Sequence, residues 1–386
     1  MWPTRLVAVL LICLCIVTIN NLMRRAVRGD GDLTVYRTAS LELLQGRDPY
    51  SGGKMSYVYP PLFASLLTPL AVLGPRAFAL AWGLVLMGCW CVALHLMRNL
   101  LGRRDAALDW TIDILPNLIL FRWIWNGLGH GQIALILLVL ALITFQYERR
   151  GNAGVAGFFL ALAAGMKIFP LFLLLVFWRA GRYGGIVWTA AHLVLLQAIP
   201  IAEVGMDRYW SITRDGFLGR ALPQIRADRL FSDNRSPIST VFLITGADSH
   251  TLLTIAWVVL LMIGVLLVGR LERSIQQEMT ESLRLAFLMT TMVVVCPTVW
   301  PHYFTLLLFP FAACLHVAMN KRTSRRIRSR LIRIVLLSGL LLNADATVLV
   351  EDLGLRWLEY CPSVGLLVLW LGIWTTVKTN AIEVSP

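Results

Sequence analysis

Charge is what this chain has least of: Lys, Arg, Asp and Glu together make up 15% of its 386 residues, against about a quarter in a soluble domain. Acids are scarcer than bases, 22 against 35. A Rossmann glycine fingerprint, a phosphate-cradling Gly-Lys-Ser loop and a His-Glu-x-x-His helix are all missing. Their absence excludes dinucleotide oxidoreductases, P-loop NTPases and that class of zinc peptidase. Cysteine is sparse, seven residues, and Cys13, Cys15, Cys89, Cys91 and Cys314 sit inside apolar runs without paired or metal-ligand spacing. They read as small core residues, so a disulfide frame is excluded. No internal repeat and no low-complexity segment is evident.

What is present is apolar sequence. Hydrophobic residues make up 58% and the mean hydropathy is +0.70, which places most of the chain in lipid or against other apolar spans. The net charge of +13 does not indicate nucleic acid, because the arginines gather in short segments between apolar runs, as topology signals do. Arg5 precedes the first run, but Asn20, Asn21, Leu22 and Met23 follow it where a cleavage site would need small residues. An uncleaved first helix is expected.

Hydropathy predicts about twelve crossings. They run Leu6 to Met23, Ala77 to Met97, Ile112 to Asn126, Ile133 to Tyr147, Ala153 to Gly165, Phe169 to Trp178, Ile186 to Val204, Leu252 to Val268, Leu283 to Val299, Tyr303 to Met319, Ile334 to Val350 and Val364 to Val377. Arg98, Arg103 and Arg104, then Arg149 and Arg150, Arg179 and Arg182, Arg270 and Arg273, and seven basic residues from Lys321 to Arg333 all fall on one side if Pro60 to Leu73 is an external interfacial or re-entrant helix. Both termini are then cytoplasmic. The expected domain is a single polytopic unit, residues 1–386, with external loops at 24–76 and 205–251. Arg24, Arg25 and Arg28 sit just outside the first span, where they would meet anionic lipid or an anionic substrate.

The first loop carries the leading candidate. Asp32, placed just past a crossing, can take a proton from an acceptor hydroxyl at the membrane surface, an assistance worth about 10² to 10⁴ in rate. The competing reading is a solvated carboxylate or an N-cap for the segment from Leu33 to Leu44. Asp30 and Asp32 form an Asp-x-Asp pair, a weak signal for a divalent cation, since hard cations need more oxygen ligands or a bound phosphate. Otherwise no cofactor is indicated.

Lys167 is the only charge in the apolar run from Ala153 to Pro170. Burying an unpaired ammonium costs about 2.5 to 3.5 kcal/mol on insertion scales, so it needs an anion or an interface. Pro170 should end the helix and turn the chain back, leaving Lys167 at an external tip suited to a lipid-linked phosphate; a snorkelling lysine is the plain alternative. His302, between Trp300 and Tyr303 in a proline-broken connection, can hydrogen-bond a sugar or phosphate while the aromatics stack on the sugar. An interfacial aromatic belt would look similar. His130 and Gln132 occupy a glycine-rich external turn. The second loop offers Trp210, Arg214, Asp215, Arg220, Arg226 and the run Asp233, Asn234, Arg235, whose basic excess suits a phosphate.

Taken in order, Asp32-x-x-x-Tyr36, Gly46-Arg47-Asp48-Pro49-Tyr50, Tyr59-Pro60-Pro61, Gly131-Gln132, the Ala-Gly run to Lys167-x-x-Pro170 and the segment from Pro297 to Tyr303 resemble the polyprenol-phosphate-mannose-dependent mannosyltransferases of glycosyltransferase family 87, in the GT-C superfamily. The resemblance spans most of the chain. It implies an all-α GT-C membrane fold and a polyprenyl-phosphate-sugar donor, with Asp32 as catalytic base and His302 in the pocket. It implies Lys167 near the donor phosphate; the full candidate set is Asp32 and His302 as catalytic residues and Lys167, Tyr36, Tyr59, Gln132, Trp300, Tyr303, Asn234 and Arg235 as donor contacts. Where relatives often show His-Tyr-Tyr this chain reads His302-Tyr303-Phe304, which leaves the sugar, mannose or arabinose, open.

The expectation is an inverting membrane glycosyltransferase acting on a glycolipid or glycan acceptor. Its partners would be the lipid-linked donor, that acceptor and membrane lipids, with no nucleic acid. The expected location is a bacterial inner membrane with the active site facing outward. A lipid carrier also follows from the absence of any cytoplasmic domain to bind a nucleotide sugar. The rival classes are a polysaccharide polymerase or ligase and a lipid-linked glycan transporter.

Overall fold

The computed structural model describes residues 2–51, 57–102, 110–228, 233–247, 249–271, 278–345 and 354–383. Every regular element among the described residues is helical. Arg103, Arg104, Arg273 and the 346–350 end of one expected crossing lie outside them, as does the side chain of Arg226.

Among the described residues five helices are long and apolar enough to cross a membrane: Pro75–Leu100, Tyr183–Val204, His250–Gly269, Pro301–Met319 and Trp357–Lys378. The pair Phe121–His130 and Ala134–Arg149, bent by 114°, makes a sixth if it is one broken span. The chain is therefore an all-α integral membrane protein, with five or six such helices among the described residues where hydropathy predicts about twelve. Part of the difference lies in length. The apolar run from Ile112 to Asn126 breaks around Pro116 into Trp110–Ile114, Leu115–Ile119 and Phe121–His130, and Ala153–Met166 and Phe169–Ala180 are short apolar helices. At 1.5 Å per residue a 14-residue helix reaches about 21 Å, against a hydrocarbon core of about 30 Å.

Val187, Val194 and Leu195 on Tyr183–Leu196, and Leu252, Ile255 and Met262 on His250–Gly269, are exposed, as side chains that face lipid must be. In lipid, apolar burial does not drive helices together; close backbone approach does. Gly157 shows this, since a Cβ there would come within 2.9 Å of the Thr189 nitrogen and the Trp188 Cβ.

The chain forms two compact units. The first comprises residues 1–95, 125–171 and 184–227, and the second residues 96–124, 172–183 and 228–386. The first holds all or most of α1 (Trp2–Arg28), α2 (Asp32–Leu44), α3 (Pro61–Ala71), α4 (Pro75–Leu100), α5 (Phe121–His130), α6 (Ala134–Arg149), α7 (Ala153–Met166) and α8 (Tyr183–Leu196). Its packing near the site is aromatic: Tyr36 of α2 meets Phe63 of α3 edge-on at 5.1 Å between centroids and Tyr59 at 5.2 Å. In the second unit Pro301–Met319 is wrapped almost wholly by protein, and Arg325–Leu342 packs along Cys361–Glu383, where a Cβ on Gly365 would lie 2.9 Å from the Leu342 nitrogen.

Candidate active site

Asp32 is not a helix cap. Gly31, at φ 81°, occupies the cap position and lets the chain turn into α2, so Asp32 is the first helical residue. Its carboxylate crosses to the turn after α5, where Gln132 Nε2 donates to Asp32 Oδ2 at 2.5 Å. That turn is a Schellman closure: Gln132 N donates to Gly127 O at 2.8 Å over Gly131 at φ 71°. Trp82 Nε1 holds the Gly131 carbonyl at 2.8 Å. The glycines make the turn, and the turn aims Gln132 at Asp32.

Tyr36, one turn after Asp32, is fully buried; its hydroxyl lies 2.8 Å from that of Tyr59 and donates to Gln132 Oε1 at 3.2 Å. Tyr59 also reaches Gln132 Oε1, at 3.4 Å. Lys167 follows α7 in extended conformation (φ −155°), so the helix stops before Pro170, and its Nζ donates to the Tyr59 hydroxyl at 3.4 Å. The ammonium also lies 4.7 Å from the Tyr59 ring centroid, in cation–π range. Five of the sequence-predicted residues, Asp32, Tyr36, Tyr59, Gln132 and Lys167, thus share one polar cluster within the first unit.

Burial pushes the Asp32 carboxyl above the usual carboxylate range, while His130, the Gln132 amide and the Lys167 ammonium draw it down. Burial wins, which makes Asp32 a stronger base than a solvated aspartate. The Tyr59 phenol is driven well up, by burial first and then by the Asp32 charge, and stays protonated as a donor. Arg25 Nη1 lies 3.1 Å from His130 Nδ1; because arginine only donates, Nδ1 accepts and the imidazole proton sits on Nε2. Asp30 is exposed while Asp32 turns inward, and among the described residues no three His, Cys, Asp or Glu side chains converge to hold a metal ion.

The stretch from Gly46 to Tyr50 braces the cluster from outside. Arg47 pairs with Glu42, and Asp48 accepts from Tyr50 N at 2.9 Å and pairs with Arg220. Tyr50 donates to the Tyr59 carbonyl at 2.7 Å, and Arg208 Nε donates to Gly46 O at 2.6 Å. Arg220 is thereby matched to a carboxylate, and Arg214 pairs with its neighbour Asp215 on the surface. Trp210 is exposed.

His302, Trp300, Tyr303, Asn234 and Arg235 belong to the second unit, where Asn234 and Arg235 bond to the proline-broken connection. Asn234 Nδ2 donates to Pro297 O at 3.2 Å, its Oδ1 accepts from Val299 N at 2.8 Å, and Arg235 N donates to Val299 O at 2.7 Å. The Asn234 amide therefore stitches the loop to the proline-broken connection. Buried Asp345 accepts from Arg122 at 2.5 Å and from Arg235 at 3.3 Å. His302 is buried and meets Tyr303 edge-on at 4.8 Å between centroids.

A family model of glycosyltransferase family 87 matches residues 57–297, well over half of the chain. The chain belongs to glycosyltransferase family 87. No curated protein and no solved structure matches it. As a GT-C family member it is a membrane glycosyltransferase, with a sugar donor and an acceptor as substrates.

Within this family 87 chain the matched segment includes Tyr59, Gln132, Lys167, Asn234 and Arg235, while Asp32, Tyr36, Trp300, His302 and Tyr303 lie outside it. Sequence reasoning missed two things. It gave Asp48 and Tyr50 no structural task, and it left Arg122 and Asp345 unremarked. The Asp-Pro step in Gly46-Arg47-Asp48-Pro49-Tyr50, a turn initiator whose carboxylate bonds the backbone two residues on, was the available signal for the first; for the second it was a charge inside an expected crossing, Arg122 in Ile112 to Asn126 and Asp345 in Ile334 to Val350.

Proposed function

We propose that this family 87 enzyme moves a sugar, mannose in the first instance, from a polyprenyl-phosphate carrier to a glycolipid or glycan hydroxyl on the outer face of a bacterial plasma membrane, with both termini inside. The observation that supports this reading is the cluster that links a half-buried carboxylate, Asp32, to an ammonium, Lys167, through Gln132 and Tyr59. One group accepts a proton and the other attracts an anion, which is what displacement of a lipid phosphate requires.

In this mechanism the acceptor hydroxyl approaches Asp32, which takes its proton as the oxygen bonds to the anomeric carbon. The bond from that carbon to the phosphate oxygen breaks, its electron pair leaves with polyprenyl phosphate, and the configuration inverts. Lys167 lowers the barrier by stabilising charge that grows on the departing phosphate, a preorganised effect worth about 3 to 4 kcal/mol for one well-placed donor. The raised basicity of Asp32 helps the proton transfer.

The test is direct. Purified enzyme given polyprenyl-phosphate-mannose and a membrane glycolipid extract should transfer label, and polyprenyl-phosphate-arabinose beside it distinguishes the sugars. Transfer of a preassembled glycan chain in place of one sugar would replace this reading with that of a polymerase or ligase.

A further inference from the structure

Resting on the reading of Asp32 as base, we propose that Gln132 is a positioning residue for Asp32 and not a contact for the sugar donor. The geometry fixes its amide in one sense. Lys167 can only donate, so Tyr59 receives that bond on its oxygen at 3.4 Å. Tyr36 donates to Gln132 Oε1 at 3.2 Å and Tyr59 reaches the same oxygen at 3.4 Å, the two phenol oxygens lying 2.8 Å apart. Gln132 Nε2 is left facing Asp32 Oδ2 at 2.5 Å. Every donor in the chain points from Lys167 toward Asp32.

Turning the amide over would set its carbonyl against the carboxylate with no proton between them. It would also take away the amide oxygen to which both phenols donate, so the observed sense is strongly preferred. Burial adds to this. Gln132 and both tyrosines are buried and cannot exchange these bonds for water. The Schellman turn fixes the Gln132 backbone, so the amide has one place to point. A donor-binding amide would present its NH₂ or carbonyl to the substrate; here both ends are engaged by protein.

Removing the amide therefore moves the carboxylate and not the donor site. The groups around Asp32 are His130 and Gln132 of the α5 turn, Arg25 of α1 beside His130, Asp30, Tyr36 on its own helix, and Tyr59 and Lys167. Of these, Gln132 alone donates to the carboxylate through a side-chain bond among the described contacts. Without it the ionised form is less favoured, so the acid limb of the rate profile moves to higher pH.

The experiment uses the full chain in detergent with polyprenyl-phosphate-mannose and a membrane glycolipid extract, comparing wild type, Gln132→Met, Gln132→Glu and Asp32→Asn. Gln132→Met should lower kcat about 10²-fold with the donor KM within about threefold of wild type, and shift the acid limb upward. Gln132→Glu, which keeps the volume and the acceptor for Tyr36, should shift it further, because two adjacent carboxyls resist double ionisation. It also serves if the Met variant does not fold. A raised donor KM with an unmoved acid limb in the folded Gln132 variants, while Asp32→Asn is inactive, overturns this inference alone. Full activity in Asp32→Asn overturns the base assignment and the inference with it.

Discussion

Lys167 Nζ stands over the face of Tyr59, 4.7 Å from the ring centroid and 3.4 Å from the phenolic oxygen. A ring face and a hydroxyl hold the ammonium in place, and the task proposed for its charge is to meet the phosphate of the donor. Lys167→Met should lower kcat/KM for the lipid donor about 10² to 10³-fold, and Lys167→Arg should recover part of that. Initial rates against donor concentration check this. An unchanged donor dependence would remove Lys167 from the phosphate site.

Asp32 predicts opposite effects on activity and stability. Burial raises its pKa in the folded chain, so the folded state holds the proton more tightly than the unfolded state, where a carboxyl titrates near about 3.9. Stability is then full below that pH and is lost as pH rises toward the raised value. Asp32→Asn removes the buried charge. It should melt higher than wild type at neutral pH, with the gap closing in acid, while transfer falls about 10² to 10⁴-fold. Thermal scans at two pH values beside the transfer assay decide it, and a variant that melts lower at neutral pH would contradict the sign.

The sequence made the outline of this site readable because its parts break local rules. Lys167 is a charge where apolar sequence expects none, Asp32 is an acid just past a crossing, and Gln132 is a polar side chain that the turn glycines do not require. What could not be read was their joining, since the Gln132 to Asp32 bond spans a sequence separation of 100 residues and depends on the turn direction set by Gly131. The helix count failed for a related reason. Hydropathy records that residues 112–126 and 153–165 are apolar, but not that one breaks near a proline and the other stops short of a bilayer's thickness.

The outer brace should depend more on packing than on charge. A Cβ on Gly216 would fall 2.4 Å from Tyr50 Cδ2 and 3.0 Å from Asp48 Oδ1, so Gly216→Val must push Tyr50, whose hydroxyl holds the Tyr59 carbonyl. A loss of about 1 to 3 kcal/mol is expected, with reduced transfer. Arg220→Ala breaks only a half-exposed pair with Asp48 and should cost about 1 kcal/mol or less. Melting the two variants side by side tests the order; a larger loss for Arg220→Ala would show that the ion pair, not the packing, holds the brace.

Gly131 and Gly151 separate conformational cost from the cost of disturbing the site. Both have positive φ, 71° and 75°, where an alanine loses about 1 to 2 kcal/mol. At Gly151, in the turn between α6 and α7, an added Cβ meets nothing within 4 Å. At Gly131 it would lie 3.3 Å from Leu33 Cβ and 3.4 Å from Trp82 Nε1. Leu33 adjoins Asp32 and Gly131 adjoins Gln132, so relief of that contact moves the two ends of one hydrogen bond apart. Gly151→Ala should therefore lower the melting temperature and leave kcat within about twofold, a shift under 0.5 kcal/mol. Gly131→Ala should lower both, with kcat down at least about tenfold. Equal kcat values in the two variants would show that the turn carries no more than backbone strain.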